Sequence, residues 1–112
     1  MIKLLSMFVR YAQLPEKEFS KLAASELFKL AEMAESKKEQ NVEILAYEEN
    51  LSVRCKGLEI SLEASPTSRQ LLYQSSALAQ VRFNYLGSRW VGKNNLQLHE
   101  VFEKDLNLMI KA

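Results

Sequence analysis

Residues 82–106 carry the clearest structural pattern in this chain and read Arg82-Phe-Asn-Tyr-Leu-Gly-Ser-Arg-Trp-Val-Gly-Lys-Asn-Asn-Leu-Gln-Leu-His-Glu-Val-Phe-Glu-Lys-Asp-Leu106. With the preceding Val81, the first residues alternate apolar and polar, the two-residue period of a half-buried strand. Gly87-Ser88 predicts a hairpin turn before a second strand at Trp90-Val91. From residue 98 onward the apolar residues fall on one helical face, so a C-terminal helix is predicted to pack against this hairpin.

The rest of the chain predicts one more helix and four more strands. Pro15 precedes a run with helical spacing, which favours a first helix over about residues 16–38. Its apolar stripe consists of Phe19, Leu22, Ala23, Leu27, Leu30 and Ala34. The predicted strands are 42–47, 50–55, 58–63, 70–75, 81–86 and 89–91, and the last helix is predicted over about 96–110.

Short polar turns between successive strands favour an antiparallel meander, and two helices flanking it in sequence must cover one face. The predicted fold class is therefore α+β: a two-layer sandwich with two helices on one face of an antiparallel sheet of about six strands. The opposite face is left open to water or to a partner. The length of 112 residues suits one domain, predicted over 16–112. Residues 1–15 contain no carboxylate and are predicted to be an N-terminal arm or a short targeting segment.

Composition excludes several classes of function. A single cysteine and a single histidine rule out an intramolecular disulfide framework, a Cys/His zinc site and the four thiolates of an iron–sulfur cluster. No apolar run approaches the roughly 20 residues that span a bilayer. The net charge of +1 and the lack of an RNA-binding motif argue against nucleic acid. No catalytic constellation is apparent, so the chain is not expected to be an enzyme on its own.

Charge is segregated along the chain. Of the 14 acidic residues, eleven lie between Glu16 and Glu63 and three lie in the last helix, and there is none from Ala64 through His99. That acid-free stretch contains arginines, a lysine and many amides. The open sheet face is therefore expected to be cationic and rich in amides, as protein-binding surfaces often are.

The hairpin Tyr85-x-Gly-x-x-Trp-Val91, followed by Leu98-His-Glu, resembles the C-terminal half of frataxins, small proteins of iron–sulfur cluster assembly. Residues 19–35 are similar to the first helix of that family, and residues 51–54 and 68–76 to two of its strands. The resemblance covers roughly residues 19–108. It rests on the order of these segments rather than on any single motif.

The resemblance implies an accessory protein that binds the cysteine desulfurase–scaffold complex, promotes sulfur transfer and carries weakly bound Fe(II), with no tightly bound cofactor. One alternative is iron detoxification by a ferroxidase-type iron chaperone. A second is a generic protein-interaction module that shares the fold. The resemblance also implies a monomer located in the mitochondrion or a related organelle, or in the cytoplasm if the protein is bacterial.

The acidic candidates for holding iron lie on the first helix and the first strand. Glu32, Glu35 and Glu39 are spaced to line one edge of the helix, running towards Glu43. Oxygen ligands of this kind suit Fe(II) and other hard or borderline divalent ions. By resemblance, Glu32, Glu35 and Glu43 match the acidic ridge of the family. The alternative is a solvated helix face of mixed Glu and Lys.

The partner-binding candidates lie on the open sheet face. Arg82 matches an arginine that frataxins use for docking, and Gln70 and Asn84 are expected beside it. The family's exposed tryptophan is replaced by Leu72 if the strand is aligned without a gap, or by Tyr73 if the Ser75-Ser76 pair sets the register; Tyr73 is favoured on chemistry.

Three other features complete the sequence prediction. The family's Asn-Lys-Gln triplet is absent, and Glu63-Ala64-Ser65 stands near its place. Trp90 is expected to pack against a helix rather than to be exposed. His99, in the first turn of the last helix, is expected to have an orienting rather than a ligand role.

Overall fold

The computed structural model describes residues 14–37, 41–76 and 79–112. The elements in chain order are helix α1 (Glu16–Ser36), strands β1 (Glu43–Ala46), β2 (Asn50–Cys55), β3 (Leu58–Ser65), β4 (Gln70–Ser75), β5 (Val81–Leu86) and β6 (Arg89–Val91), a short 3-10 turn (Lys93–Asn95) and helix α2 (Leu98–Lys111). Residues 1–13 lie outside the described part, so the predicted arm or targeting segment stays a prediction. The domain boundary at residue 16 also stays a prediction.

The six strands form one antiparallel sheet in the order β1-β2-β3-β4-β5-β6, so each strand pairs with its neighbours in sequence. Two-residue turns join β2 to β3 and β5 to β6. Gly57 and Gly87 occupy these turns with φ of 81° and 71°. Glycine adopts this left-handed backbone without steric strain, and hairpin turns of this length require it. The predicted meander is therefore confirmed.

Both helices pack on the same face of the sheet, which confirms the predicted α+β two-layer sandwich. The buried stripe of α1 is the predicted one, except that Leu22 is only half-buried. Alternate residues of the strands meet the helices because strand side chains point to opposite faces in turn. The shared core includes Phe19, Leu27 and Leu30 of α1, Leu51, Ile60, Leu62, Leu71 and Phe83 of the sheet, and Leu98, Phe102 and Leu106 of α2.

The predicted element boundaries differ from the observed ones by at most two residues: the first helix ends at Ser36 rather than 38, β3 extends to Ser65 rather than 63, and the last helix starts later than predicted. The sequence pattern placed the start of this helix near residue 96, but the helix begins at Leu98. Asn94 and Asn95 have φ of 61° and 60°, a left-handed conformation that an α-helix does not contain. These two residues belong to the short 3-10 turn instead, and the regular helix therefore starts later.

Two lysines connect α2 to the rest of the molecule. Lys37, at the end of α1, donates hydrogen bonds from Nζ to Glu103 Oε2 at 3.3 Å and to Asn107 Oδ1 at 3.0 Å. Lys56, in the β2–β3 turn, donates from Nζ to the backbone oxygens of residues 110 and 112, at 2.8 and 2.7 Å. Lys56 thus places a cation at the C-terminal end of α2, where it satisfies free carbonyls and interacts favourably with the helix dipole.

Candidate partner-binding face

Sheet side chains that point away from both helices form the open face, for which the sequence predicts partner binding. Strand alternation separates the two sides: Leu71, Tyr73 and Phe83 are buried under the helices, and the residues between them point outward. Cross-strand partners share a side, so the pairing register identifies the outward residues that are neighbours. The open face includes Glu43 and Leu45 of β1, Asn50, Ser52 and Arg54 of β2, Glu59, Ser61, Glu63 and Ser65 of β3, Gln70, Leu72 and Gln74 of β4, and Arg82, Asn84 and Leu86 of β5.

A row of three unlike side chains crosses the middle of the open face. Leu72 is paired with Glu63 on one side and with Arg82 on the other. Neighbouring strands lie about 4.8 Å apart, so the row extends over about 10 Å from the acid to the base. Glu63 and Arg82 are exposed, Leu72 is half-buried, and neither charge forms an ion pair within the described residues. The row therefore presents an acid, an apolar group and a base to solvent.

Gln70 and Asn84 lie beside this row and are joined to each other. They are cross-strand partners, and Gln70 Nε2 donates to Asn84 Oδ1 at 3.3 Å. The Gln70 Oε1 atom is buried and accepts no hydrogen bond from any described residue. The structure thus brings together the predicted set of Gln70, Leu72, Arg82 and Asn84 on one face, as the alternation of β4 and β5 indicates.

The prediction that Tyr73 lies on the open face is wrong. Tyr73 is 0 % exposed, and its ring makes an edge-to-face contact with Phe83 at a centroid distance of 6.1 Å. Its hydroxyl donates a hydrogen bond to Asp105 Oδ2 of α2, which is itself only 8 % exposed. Burial, followed by the hydrogen bond to Asp105, raises the pKa of Tyr73 above its ordinary value of 10.0. Leu72, the gap-free alternative, is the residue that lies outward.

Asp105 was missed by the sequence reasoning, although the sequence contains a signal for it. The buried positions of α2 are 98, 101, 102, 105, 106 and 109, and Asp105 is the only acid among them. A carboxylate in an otherwise apolar stripe must have a hydrogen-bonding partner beneath it, because burying it unpaired is costly. That requirement would have favoured an inward-pointing tyrosine on β4.

The expectation of a cationic open face is wrong for its β1–β3 half, because these strands contribute acids to it. Arg54 links two of these acids: its Nη1 lies 4.0 Å from Glu43 Oε1, and its Nε lies 3.1 Å from Glu59 Oε2. Ser52 Oγ donates to the same Glu59 oxygen at 2.9 Å. These hydrogen bonds, the one from Ser52 first, lower the pKa of Glu59 below its ordinary value of 4.5. Only the β4–β5 half of the face lacks carboxylates.

The acids predicted to hold iron do not come together as one group. Glu32 and Glu35 are exposed on α1, whereas Glu43 lies on the open face, on the opposite side of the sheet from α1, where it faces Arg54. Within the described residues, no three His, Cys, Asp or Glu side chains are gathered closely enough to hold a metal ion. Glu39 lies outside the described residues, so its predicted contribution stays untested.

Two further predicted structural residues lie in the helix-facing layer and at its rim. Trp90 is 4 % exposed and packs edge-to-face on Phe19 of α1, with ring centroids 6.0 Å apart, which confirms that it is a packed residue. His99 is exposed in the first turn of α2, close enough to Glu26 of α1 to act on it electrostatically. Burial raises the pKa of Glu26, and the nearby Lys29 and His99 oppose that rise. The orienting role of His99 stays a prediction.

Fold and face together define a class: a small two-layer α+β protein whose helices cover one side of a six-stranded meander and whose other side is covered by no helix of the described residues. The chain belongs to the frataxin-like family, since the model of the frataxin-like domain matches residues 12–112. Membership supports an iron-related role. A search of curated proteins found no match to this chain. None of the helices in the described part of the chain is long and apolar enough to cross a membrane.

Proposed function

We propose that this protein is an accessory factor of iron–sulfur cluster assembly that binds a cysteine desulfurase–scaffold complex through its open face and promotes sulfur transfer. The proposal is carried by one observation. In a chain that matches the frataxin-like domain over residues 12–112, the row Glu63, Leu72 and Arg82, with both charged side chains exposed, lies at the centre of a sheet face that no helix of the described residues covers.

The composition of this row suits a binding hot spot. Arginine is enriched among residues that dominate binding energy, and such residues lie near the centre of an interface where neighbouring groups exclude water. Arg82 is exposed and free of ion pairs within the described residues, so binding a partner carboxylate would not first require breaking an internal salt bridge. Leu72 is half-buried beside it and offers apolar area.

Sulfur transfer chemistry belongs to the partner in this proposal. The protein acts as a monomer that changes the behaviour of the bound complex, without a catalytic residue of its own. Its location is the mitochondrion or a related organelle, or the cytoplasm if the protein is bacterial.

The test is sulfide production and cluster assembly by a desulfurase–scaffold complex with and without this protein. Wild type should stimulate the complex, and Arg82→Ala and Leu72→Ala should each weaken its binding by about tenfold or more. Lys104→Ala is the matched control, because it also removes an exposed cation but lies on α2 in the helix layer. Stimulation that survives Arg82→Ala and Leu72→Ala together would contradict docking through the open face. A wild type that does not stimulate would favour the generic interaction module.

Iron is cargo in this proposal rather than a resident cofactor. The exposed carboxylates of Glu32 and Glu35 are three residues apart on α1 and are suitable oxygen ligands for weakly held Fe(II), whereas Glu43 points away from them. The double variant Glu32→Gln/Glu35→Gln should weaken Fe(II) binding, measured by anaerobic calorimetry, and should leave stimulation intact. If iron detoxification is the main role, this double variant loses the function and Arg82→Ala keeps it.

A further inference from the structure

The open face has an ordered distribution of charge that goes beyond the presence of Arg82. Its β1–β3 side carries three acids, Glu43, Glu59 and Glu63, against one base, Arg54, which lies against the first two, and its β5 side carries Arg82 and no acid. Leu72 separates the two signs in the central row. A flat partner surface of a single charge would be attracted to one half of the face and repelled by the other.

A depression of about 380 Å³ lies on the acidic side of Leu72. The side chains that matter for its chemistry are Ser52, Glu59, Ser61, Glu63, Leu72 and Gln74. Four of these six present carboxylate or hydroxyl oxygens, which accept hydrogen bonds from cationic donors. The wall formed by Leu72 supplies an apolar surface for the methylene stem of a long side chain.

The two carboxylates at the depression are not equivalent. Glu59 already accepts hydrogen bonds from Ser52 and from Arg54, at 2.9 and 3.1 Å. Glu63 forms no ion pair and no side-chain hydrogen bond with any described residue. Glu63 is therefore the acid with acceptor capacity to spare.

We propose that the depression receives a lysine or arginine side chain from the protein partner, with Glu63 as its main acceptor, while Arg82 binds an acidic side chain of the same partner about 10 Å away. This inference rests on the function proposed above and deepens it by stating the chemistry of the partner surface. That surface carries a base opposite Glu63, an apolar group opposite Leu72 and an acid opposite Arg82. Such an order also specifies the orientation in which the partner docks.

The experiment measures the affinity of the desulfurase–scaffold complex from the same cells for four forms of the full chain. These are wild type, Glu63→Gln, Glu63→Lys and Glu100→Lys. Glu100→Lys makes the same change of charge as Glu63→Lys, at an exposed position in the helix layer. Circular dichroism of each variant verifies that the fold is retained, which is expected because Glu63 points outward from the sheet.

Glu63→Gln should weaken binding about tenfold, and Glu63→Lys should weaken it more, because a partner cation would then meet a like charge. Glu100→Lys should stay within about twofold of wild type. If wild type binds and both Glu63 variants bind equally well, this inference is overturned and the proposed function stands. If Glu63→Lys binds more tightly, the partner is acidic at this point and the inference is again wrong. If wild type does not bind at all, the proposed function fails, and this inference fails with it.

Discussion

Replacing Tyr73 with Phe removes one oxygen atom from the interior and tests the largest correction that the structure makes to the sequence prediction. The ring remains the same size, so its packing on Phe83 should persist. What is lost is the hydrogen bond from the tyrosine hydroxyl to Asp105, between β4 and α2. Asp105 is 8 % exposed, and water therefore replaces the lost donor only partly.

The expected cost follows from the kind of hydrogen bond that is removed. A hydrogen bond to a charged group contributes about 1.5–3 kcal/mol to stability, and leaving a buried acceptor unsatisfied costs a similar amount. In a domain of about 100 residues, 1 kcal/mol lowers the melting temperature by roughly 4–8 °C. Tyr73→Phe should therefore melt about 10 °C below wild type.

The assay is thermal and urea unfolding followed by far-UV circular dichroism. Tyr47→Phe is the matched control, since Tyr47 is 64 % exposed and its variant should unfold within about 0.5 kcal/mol of wild type. A pH series adds a second signature. Because the folded state raises the pKa of Tyr73, wild type should lose stability as pH rises above 10, where the unfolded tyrosine ionises and the folded one does not. Tyr73→Phe should lose less over that range.

A double-mutant cycle with Asp105→Asn separates the hydrogen bond from general effects of each substitution. The coupling energy between the two sites should be about 1 kcal/mol or more. The reasoning is refuted if Tyr73→Phe is as stable as Tyr47→Phe, or if the coupling is near zero. It is also refuted if Tyr73→Phe, still folded at 10 °C, has lost affinity for the desulfurase–scaffold complex, because a fully buried hydroxyl cannot contact a partner.

Three smaller predictions concern the helix layer and the hairpin. Lys56→Met removes the donor to the last carbonyls of α2 and should cost about 1 kcal/mol in urea unfolding. Glu26→Gln should raise the melting temperature slightly at pH 7, since burial disfavours the charged carboxylate, and the difference should vanish below about pH 4, where the wild-type side chain is also neutral. Gly92→Ala would place a methyl group 3.1 Å from Phe83 Cε1 and 3.2 Å from the Arg82 backbone oxygen and should destabilise by about 1–3 kcal/mol; an unchanged melting temperature would show that both the ring and the backbone adjust at no cost.

Most of the architecture could be predicted because the apolar residues recur with two clear periods, one typical of strands and one typical of helices. Val81, Phe83 and Tyr85 alternate with polar residues, which indicates a strand with one buried side. The apolar residues of α1 and α2 recur at helical spacing. Local signals of this kind do not depend on distant parts of the chain, so the element order and the two-layer arrangement followed from them.

The orientation of β4 could not be predicted in the same way. Leu71, Leu72 and Tyr73 are three consecutive apolar or aromatic residues, so no alternation shows which of them point inward. The choice is made by partners distant in sequence: Leu71 pairs with Phe83, and the tyrosine hydroxyl reaches Asp105. A one-residue shift exchanges the two faces of a strand, and for this reason the favoured alternative for the exposed residue was the wrong one.

The surface charge pattern was likewise hidden by sequence order. The acid-free stretch from residue 64 to residue 99 is real, but it supplies only part of the open face. The register of the sheet places Glu63 directly beside Leu72, and Glu59 lies on the same side of β3. Glu63, which precedes the acid-free stretch in sequence, is thus a direct neighbour of Leu72 on the open face. Surface charge depends on strand pairing rather than on proximity in the chain.

Along each strand, the side chains that point inward maintain this fold, and the side chains that point outward lie on the open face. On β4 and β5 the inward side chains are buried against the helices, and Tyr73 also donates a hydrogen bond to Asp105 of α2. The outward side chains of Leu72 and Arg82 contribute little to the core. Under the proposed function, substitution at an outward position would therefore change recognition at small cost in stability. A frataxin-like chain can keep its helices and its inward residues while the outward residues at positions 63, 72 and 82 are replaced. Because the row and the core lie on opposite sides of the same strands, the proposed docking predicts that partner preference can diverge while the fold stays unchanged.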